Sequence, residues 1–132
     1  ISTLEMVVQG LLSAWSRRPH VLLLEELEIM INLSPPAVFK KIVPNVLLLL
    51  SQAVVDQHFH IAERALLLWR GEYFVSLIAQ HRRDAMPSLY KPLVDSETNH
   101  WHPQVRVLAS NVLQLFQSMD ESLFRELETS VD

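Results

Sequence analysis

A triplet of histidine, aromatic and histidine occurs twice, as His58-Phe59-His60 and His100-Trp101-His102, each time with an arginine six residues after the first histidine, at Arg64 and Arg106. The copies stand 42 residues apart, from position 58 to position 100. That step lies within the roughly 40–47 residues of two-helix HEAT or armadillo units, each of which buries its apolar face on the next. A chain with this step is expected to be a stack of helix pairs.

The spacing of apolar residues supports helices throughout. Residues 4 to 15 carry Leu4, Val7, Val8, Leu11, Leu12 and Trp15 on one stripe, ended by Arg17-Arg18-Pro19. Leu23, Leu24, Leu27, Met30 and Ile31 form the next apolar face, with Glu25, Glu26 and Glu28 largely off it, in a helix closing near Leu33. Ser34 then reads as an N-cap, with Pro35 and Pro36 in the first turn of a helix that runs to about Val55 and kinks at Pro44. The apolar run Val46 to Leu50 is read as part of that helix, because a strand there would have no second strand to pair with.

The stretch His58 to Tyr73 reads as one helix with a spine of Ala62, Ala65, Leu66, Trp69 and Tyr73, bending at Gly71 and continuing to about Gln80. The segment Arg82 to Val94 is interrupted by Pro87 and Pro92. The clearest amphipathic helix follows, with Val105, Leu108, Ala109, Val112, Leu115, Phe116 and Met119 at steps of three and four. Asp120 is placed to cap a last helix carrying Leu123, Phe124, Leu127 and Val131. The expected pairs are therefore 35–55 with 58–80 and 82–94 with 101–118, after a more degenerate pair over residues 4 to 31. The fold class is all-α, a HEAT-like (armadillo-type) solenoid of antiparallel helix pairs with about three repeats, and residues 1–132 form one domain without a linker.

Composition narrows the function. Two glycines, Gly10 and Gly71, leave little material for hairpin turns or for a loop that cradles phosphate. With no cysteine there are no disulfides, thiolate zinc sites or thiol catalysis, which suits an intracellular protein, cytoplasmic or nuclear. A net charge of −4 argues against general nucleic-acid affinity. The longest wholly apolar run, Val46 to Leu50, is far short of a membrane span. No stretch resembles a nucleophile elbow, so no enzyme activity, catalytic residue or cofactor is expected. The histidine triplets offer four imidazoles, but residues two apart on a helix point away from each other, and no metal site is assigned. His58 and His100 are read as turn residues at equivalent places in successive repeats. Trp69 and Trp101 are read as core.

The run HFHIAERALLLWRGEYFVSLI resembles a helix of the B-prime regulatory subunits of protein phosphatase 2A, which carry a segment of the form HF-x-x-AERAL-x-x-W-x-x-EY-x-x-SLI. The resemblance extends to Leu24-Glu25-Glu26-Leu27-Glu28, to Pro35, Phe39, Lys41 and Ile42, and from His100-Trp101 to Leu123-Phe124. Pro44, the leucine-rich turn after it and Pro103 depart from the family pattern and mark a divergent member. The resemblance implies a HEAT-like regulatory subunit that assembles with the phosphatase scaffold and catalytic subunits and selects phosphoprotein substrates. The chain resembles the C-terminal part of such a subunit. Because it opens at Ile1 in an apolar segment, it is read as a piece of a longer solenoid. The family's pocket for short substrate motifs lies mainly in earlier repeats and is not transferred. The candidate partner-binding residues are Glu63, Arg64, Glu72 and His100, with repeat stacking as the competing role of Arg64. The alternative is a helical-repeat adaptor that does not bind the phosphatase.

Overall fold

Leucines and isoleucines at helical steps, with almost no glycine between them, leave the chain few alternatives to packed helices. The computed structural model describes residues 21–130 together with Met6 and Gly10. Apart from Met6 and Gly10, which are helical, the stripe expected over 4–15 and its Arg17-Arg18-Pro19 break lie outside the described residues. The described chain folds into α1 (Val21–Leu33), α2 (Pro36–Ala53), α3 (Phe59–Leu67), a 3₁₀ turn (Leu68–Arg70), α4 (Glu72–Gln80), α5 (Arg82–Asn99), α6 (Pro103–Met119) and α7 (Glu121–Ser130). Among the described residues there is no strand.

The local signals explain most of these boundaries. Ser34 does not cap α2 as expected; its hydroxyl donates to the Met30 carbonyl and closes α1. The N-cap is Pro35, with Pro36 inside the first turn and no side-chain cap bond. With Ser34 as the cap, Pro36 would remove one of the two N–H groups that a serine cap serves, and the hydroxyl instead finds its acceptor behind it. The helix continues through Pro44, whose ring lies on the exposed side.

The stretch His58 to Tyr73 is not one helix. It ends as a 3₁₀ turn at Leu68–Arg70, and Gly71 is extended at φ −80° and ψ 122° before α4 begins. The break lies on the buried side of the stretch, where Leu68 and Trp69 are both in the core. A tighter turn swings Trp69 against Phe74 and Phe116, edge to face, with centroids 5.0 and 6.2 Å away.

The interruption expected at Pro87 and Pro92 is likewise absent, since α5 runs unbroken from Arg82 to Asn99. Each proline frees the carbonyl four residues back, that of Arg83 and that of Ser88, and both residues are exposed to water. The opposite face carries Ala85, Met86, Leu89, Tyr90, Leu93 and Ser96, all buried, and its packing outweighs the lost bonds. Pro103 starts α6 at its first position, where its missing N–H costs nothing. Asp120 caps α7 as expected, accepting from the Leu123 N–H at 3.0 Å.

The helices form two layers. α2 packs on α5 in one, α1 on α3 and α3 on α6 in the other, with α2·α3 and α5·α6 contacts joining the layers. α4 bridges α1 and α5, and α7 covers α5 and α6. This is an all-α helical-repeat arrangement, with α2/α3 and α5/α6 as successive pairs. One apolar cluster runs through it from Leu23 on α1 to Phe124 on α7. Among the described residues no helix is long and apolar enough to cross a membrane.

Candidate functional site

The two histidine triplets meet at the joint between the repeat pairs. After α2, the Asp56 carboxylate accepts from the His58 N–H at 2.8 Å and turns the chain into α3, leaving the Asp56 and Gln57 carbonyls toward the next repeat. His100 is 3% exposed, and its Nε2 lies 2.8 Å from the Asp56 carbonyl oxygen. Its Nδ1 accepts from the His102 N–H at 3.1 Å. A carbonyl can only accept and an amide N–H can only donate, so the proton sits on Nε2 and both ring nitrogens are occupied. The Trp101 indole N–H donates to the Gln57 carbonyl at 2.7 Å.

Aromatic contacts complete this joint. Phe59 stacks on His102 with centroids 4.3 Å apart and planes within 7°, and meets Trp101 in a T-shaped contact at 5.8 Å. His102 caps α6 by accepting from the Gln104 N–H at 3.2 Å. Arg106 donates to the carbonyls of His100, at 2.8 Å, and Trp101, at 3.2 Å, tying down its own turn.

The helix caps revise the repeat step. His58 caps α3 and His102 caps α6, and the cross-repeat bonds from His100 and Trp101 both span 44 residues. Thus His58 and His100 are not equivalent, and Arg64 and Arg106 do different work. Trp101 is 56% exposed, not core, because it lies in the turn between α5 and α6, held by its indole N–H and by neighbouring rings. The 42-residue likeness of the triplets concealed this, while Asp56 standing two residues before a helix start was the available clue to the turn.

The other predicted residues lie elsewhere. Arg64, with its side chain 21% exposed, pairs with Glu28 and lies 3.9 Å from Glu25, both on α1. It holds α3 against α1, so the glutamates read only as the polar side of α1 supply its partners. Glu63 is half-buried on α3 and Glu72 exposed in the first turn of α4, where the helix dipole favours a carboxylate. Neither has an ion pair among the described residues. Beside Glu72, the Tyr73 hydroxyl donates to the Ser34 carbonyl, fixing α4 on the end of α1. The structure therefore does not gather Glu63, Arg64, Glu72 and His100 into one cluster. Among the described residues no three His, Asp or Glu side chains are grouped to hold a metal ion.

The family model described as the protein phosphatase 2A regulatory B subunit (B56 family) matches residues 1–132. The chain belongs to the B56 family. It is 34% identical over 129 residues to the 56 kDa regulatory subunit delta 2 isoform of phosphatase 2A from Schizosaccharomyces pombe, a match covering 96% of this chain and 21% of that protein. It is also 34% identical over 129 residues to the human alpha isoform, covering 96% of this chain and 26% of that one. The 57 kDa B' epsilon isoform of Arabidopsis thaliana is 35% identical over 127 residues, covering 94% and 26% respectively. The chain thus spans about a quarter or less of the length of these relatives.

In this B56-family chain the central signature divides its residues by task. Ala62, Ala65, Leu66 and Trp69 go into the core, Arg64 clamps α3 to α1, and Glu63 and Glu72 keep carboxylates without an ion-pair partner among the described residues.

Proposed function

We propose that the chain is part of a non-catalytic regulatory subunit of protein phosphatase 2A, a helical-repeat segment that docks the scaffold and catalytic subunits and holds substrate beside the catalytic centre. Residues 1–132 act as one unit of a longer solenoid, and phosphoprotein substrates are selected mainly by repeats outside it. Such a subunit works by position, since holding a substrate near a bound active site raises its effective concentration without altering the chemistry. The observation that carries this reading is the family match over the whole chain. Glu63 and Glu72, together with the exposed Trp101, serve as contacts to the phosphatase, whereas Arg64 and His100 act from inside by fixing the helices that present them.

The test is co-purification of the intact protein with the scaffold and catalytic subunits. Assembly is expected, and Glu63→Gln with Glu72→Gln is expected to weaken it without lowering the melting temperature. An intact protein that fails to join either subunit would refute the phosphatase assignment and leave a helical-repeat adaptor. Assembly that is indifferent to both substitutions would refute the assigned contacts.

A further inference from the structure

On the side of the fold away from the α1 clamp, α5, α6 and α7 enclose an open groove of about 360 Å³. Tyr90, Val94, Leu113 and Phe124 line it, with the Tyr90 and Phe124 rings edge to face at 5.5 Å. Glu97 and Glu128 stand at it from opposite helices, α5 and α7. The remaining lining is uncharged, so no basic side chain of the described residues faces these two carboxylates there. Neither has an ion-pair partner among the described residues.

Tyr90 supplies a second, independent feature. The residue as a whole is only 8% exposed, while its hydroxyl has no hydrogen-bond partner among the described residues and is not one of the polar atoms shut off from water. Burial, and then the nearby charges of Glu128 and Glu97, push its ionisation upward, so the hydroxyl stays a donor at every physiological pH. An apolar floor, an unpartnered hydroxyl donor and two unneutralised carboxylates are complementary to one class of ligand. A bulky apolar side chain fills the floor, its backbone carbonyl accepts from Tyr90, and flanking cations meet Glu97 and Glu128.

We propose that this groove is a docking site for a basic-apolar peptide segment of a partner protein, in which a leucine or similar side chain is flanked by lysine or arginine. The site is separate from the residues assigned above to phosphatase contact and does not depend on that assignment. The probe is a fluorescein-labelled peptide Gly-Arg-Leu-Lys-Leu-Arg-Gly, with a control in which the cations are replaced by glutamate. Fluorescence polarisation with the intact protein is expected to show saturable binding of the basic probe only, weakening as salt is raised.

Glu97→Gln and Glu128→Gln are each expected to weaken binding by roughly two- to fivefold, as for partly exposed ion pairs. Tyr90→Phe is expected to lose a further two- to tenfold, the range of one neutral hydrogen bond. Both glutamates are at the surface, so thermal melts of these variants should match the parent and separate docking from folding. A photo-crosslinker on the probe leucine should label the Gln114–Gln117 segment. Equal binding of the acidic control, indifference to the double glutamine variant, or crosslinks confined to helices other than α5, α6 and α7 would each overturn the proposal. So would sedimentation showing that a second copy of the chain occupies the groove.

Discussion

Replacing His100 with leucine should be far more damaging than replacing His58 with alanine, although the sequence presents the two histidines as counterparts. His100 is buried and uses both ring nitrogens, donating to the Asp56 carbonyl at 2.8 Å and accepting from the His102 N–H at 3.1 Å. Leucine fills a similar volume but removes both bonds at once. Each is worth about 1 kcal/mol, and each leaves a partly buried backbone group without its partner, at a further cost of up to about 1 kcal/mol where water reaches it only poorly. The expected loss is therefore about 2–4 kcal/mol, a large share of the roughly 5–15 kcal/mol that holds a domain of this size together. His58 is exposed and its ring makes no capping bond, so His58→Ala should stay within about 0.5 kcal/mol. Urea unfolding followed by circular dichroism measures both, with the slope against denaturant unchanged if the folded and unfolded states keep their compactness. Equal losses for the two variants would refute the 44-residue register and restore the 42-residue pairing.

Three further outcomes follow from the same geometry. Arg64→Gln should cost about 0.5–1 kcal/mol, discounted because the guanidinium is 21% exposed and its Glu28 partner 31%, and a double-mutant cycle with Glu28→Gln should recover most of it as coupling. Gly71→Ser should stabilise by about 0.5–1 kcal/mol in thermal melts, by adding a cap to α4 and restricting the unfolded chain; a Cβ there meets the Leu68 carbonyl at 3.5 Å, an ordinary contact. The Leu123 N–H and then Arg82 hold the Asp120 carboxyl below the usual carboxylate range. Its contribution should thus be complete above its unfolded value near 4 and vanish as pH falls through the lower folded value, so the stability gap between the parent and Asp120→Asn should close during acid titration.

Periodicity made the helices legible, and tertiary context decided where they end. Phe39, Ile42 and Val46, or Val105, Ala109 and Val112, repeat at the helical step on a buried face, and nothing later in the chain opposes that signal. Proline was the weaker guide. Pro87 and Pro92 looked like breaks because local chemistry says a helix loses a bond at each. What the sequence cannot display is that the freed carbonyls face water while Met86, Leu89 and Leu93 face the core. Gly71 misled in the opposite sense, since a bend was expected where the chain leaves the helix altogether, with Gly71 extended between the 3₁₀ turn and α4.

The candidate site was legible only as a list of residues. Charge off an apolar spine marks a side chain as available, but availability is settled by what the neighbouring helix brings. For Arg64 the neighbour is α1 with Glu25 and Glu28, 36 or more residues away in sequence, and the arginine is engaged. For Glu63 and Glu72 no cation among the described residues arrives, so the same signature leaves these two carboxylates without an ion pair there. For His100 the deciding partner is a backbone carbonyl, which every residue carries and no composition reveals. Trp101 follows from the same joint, because the Gln57 carbonyl satisfies the indole N–H and Phe59 and His102 pack against the ring, which fixes its orientation while leaving it 56% exposed.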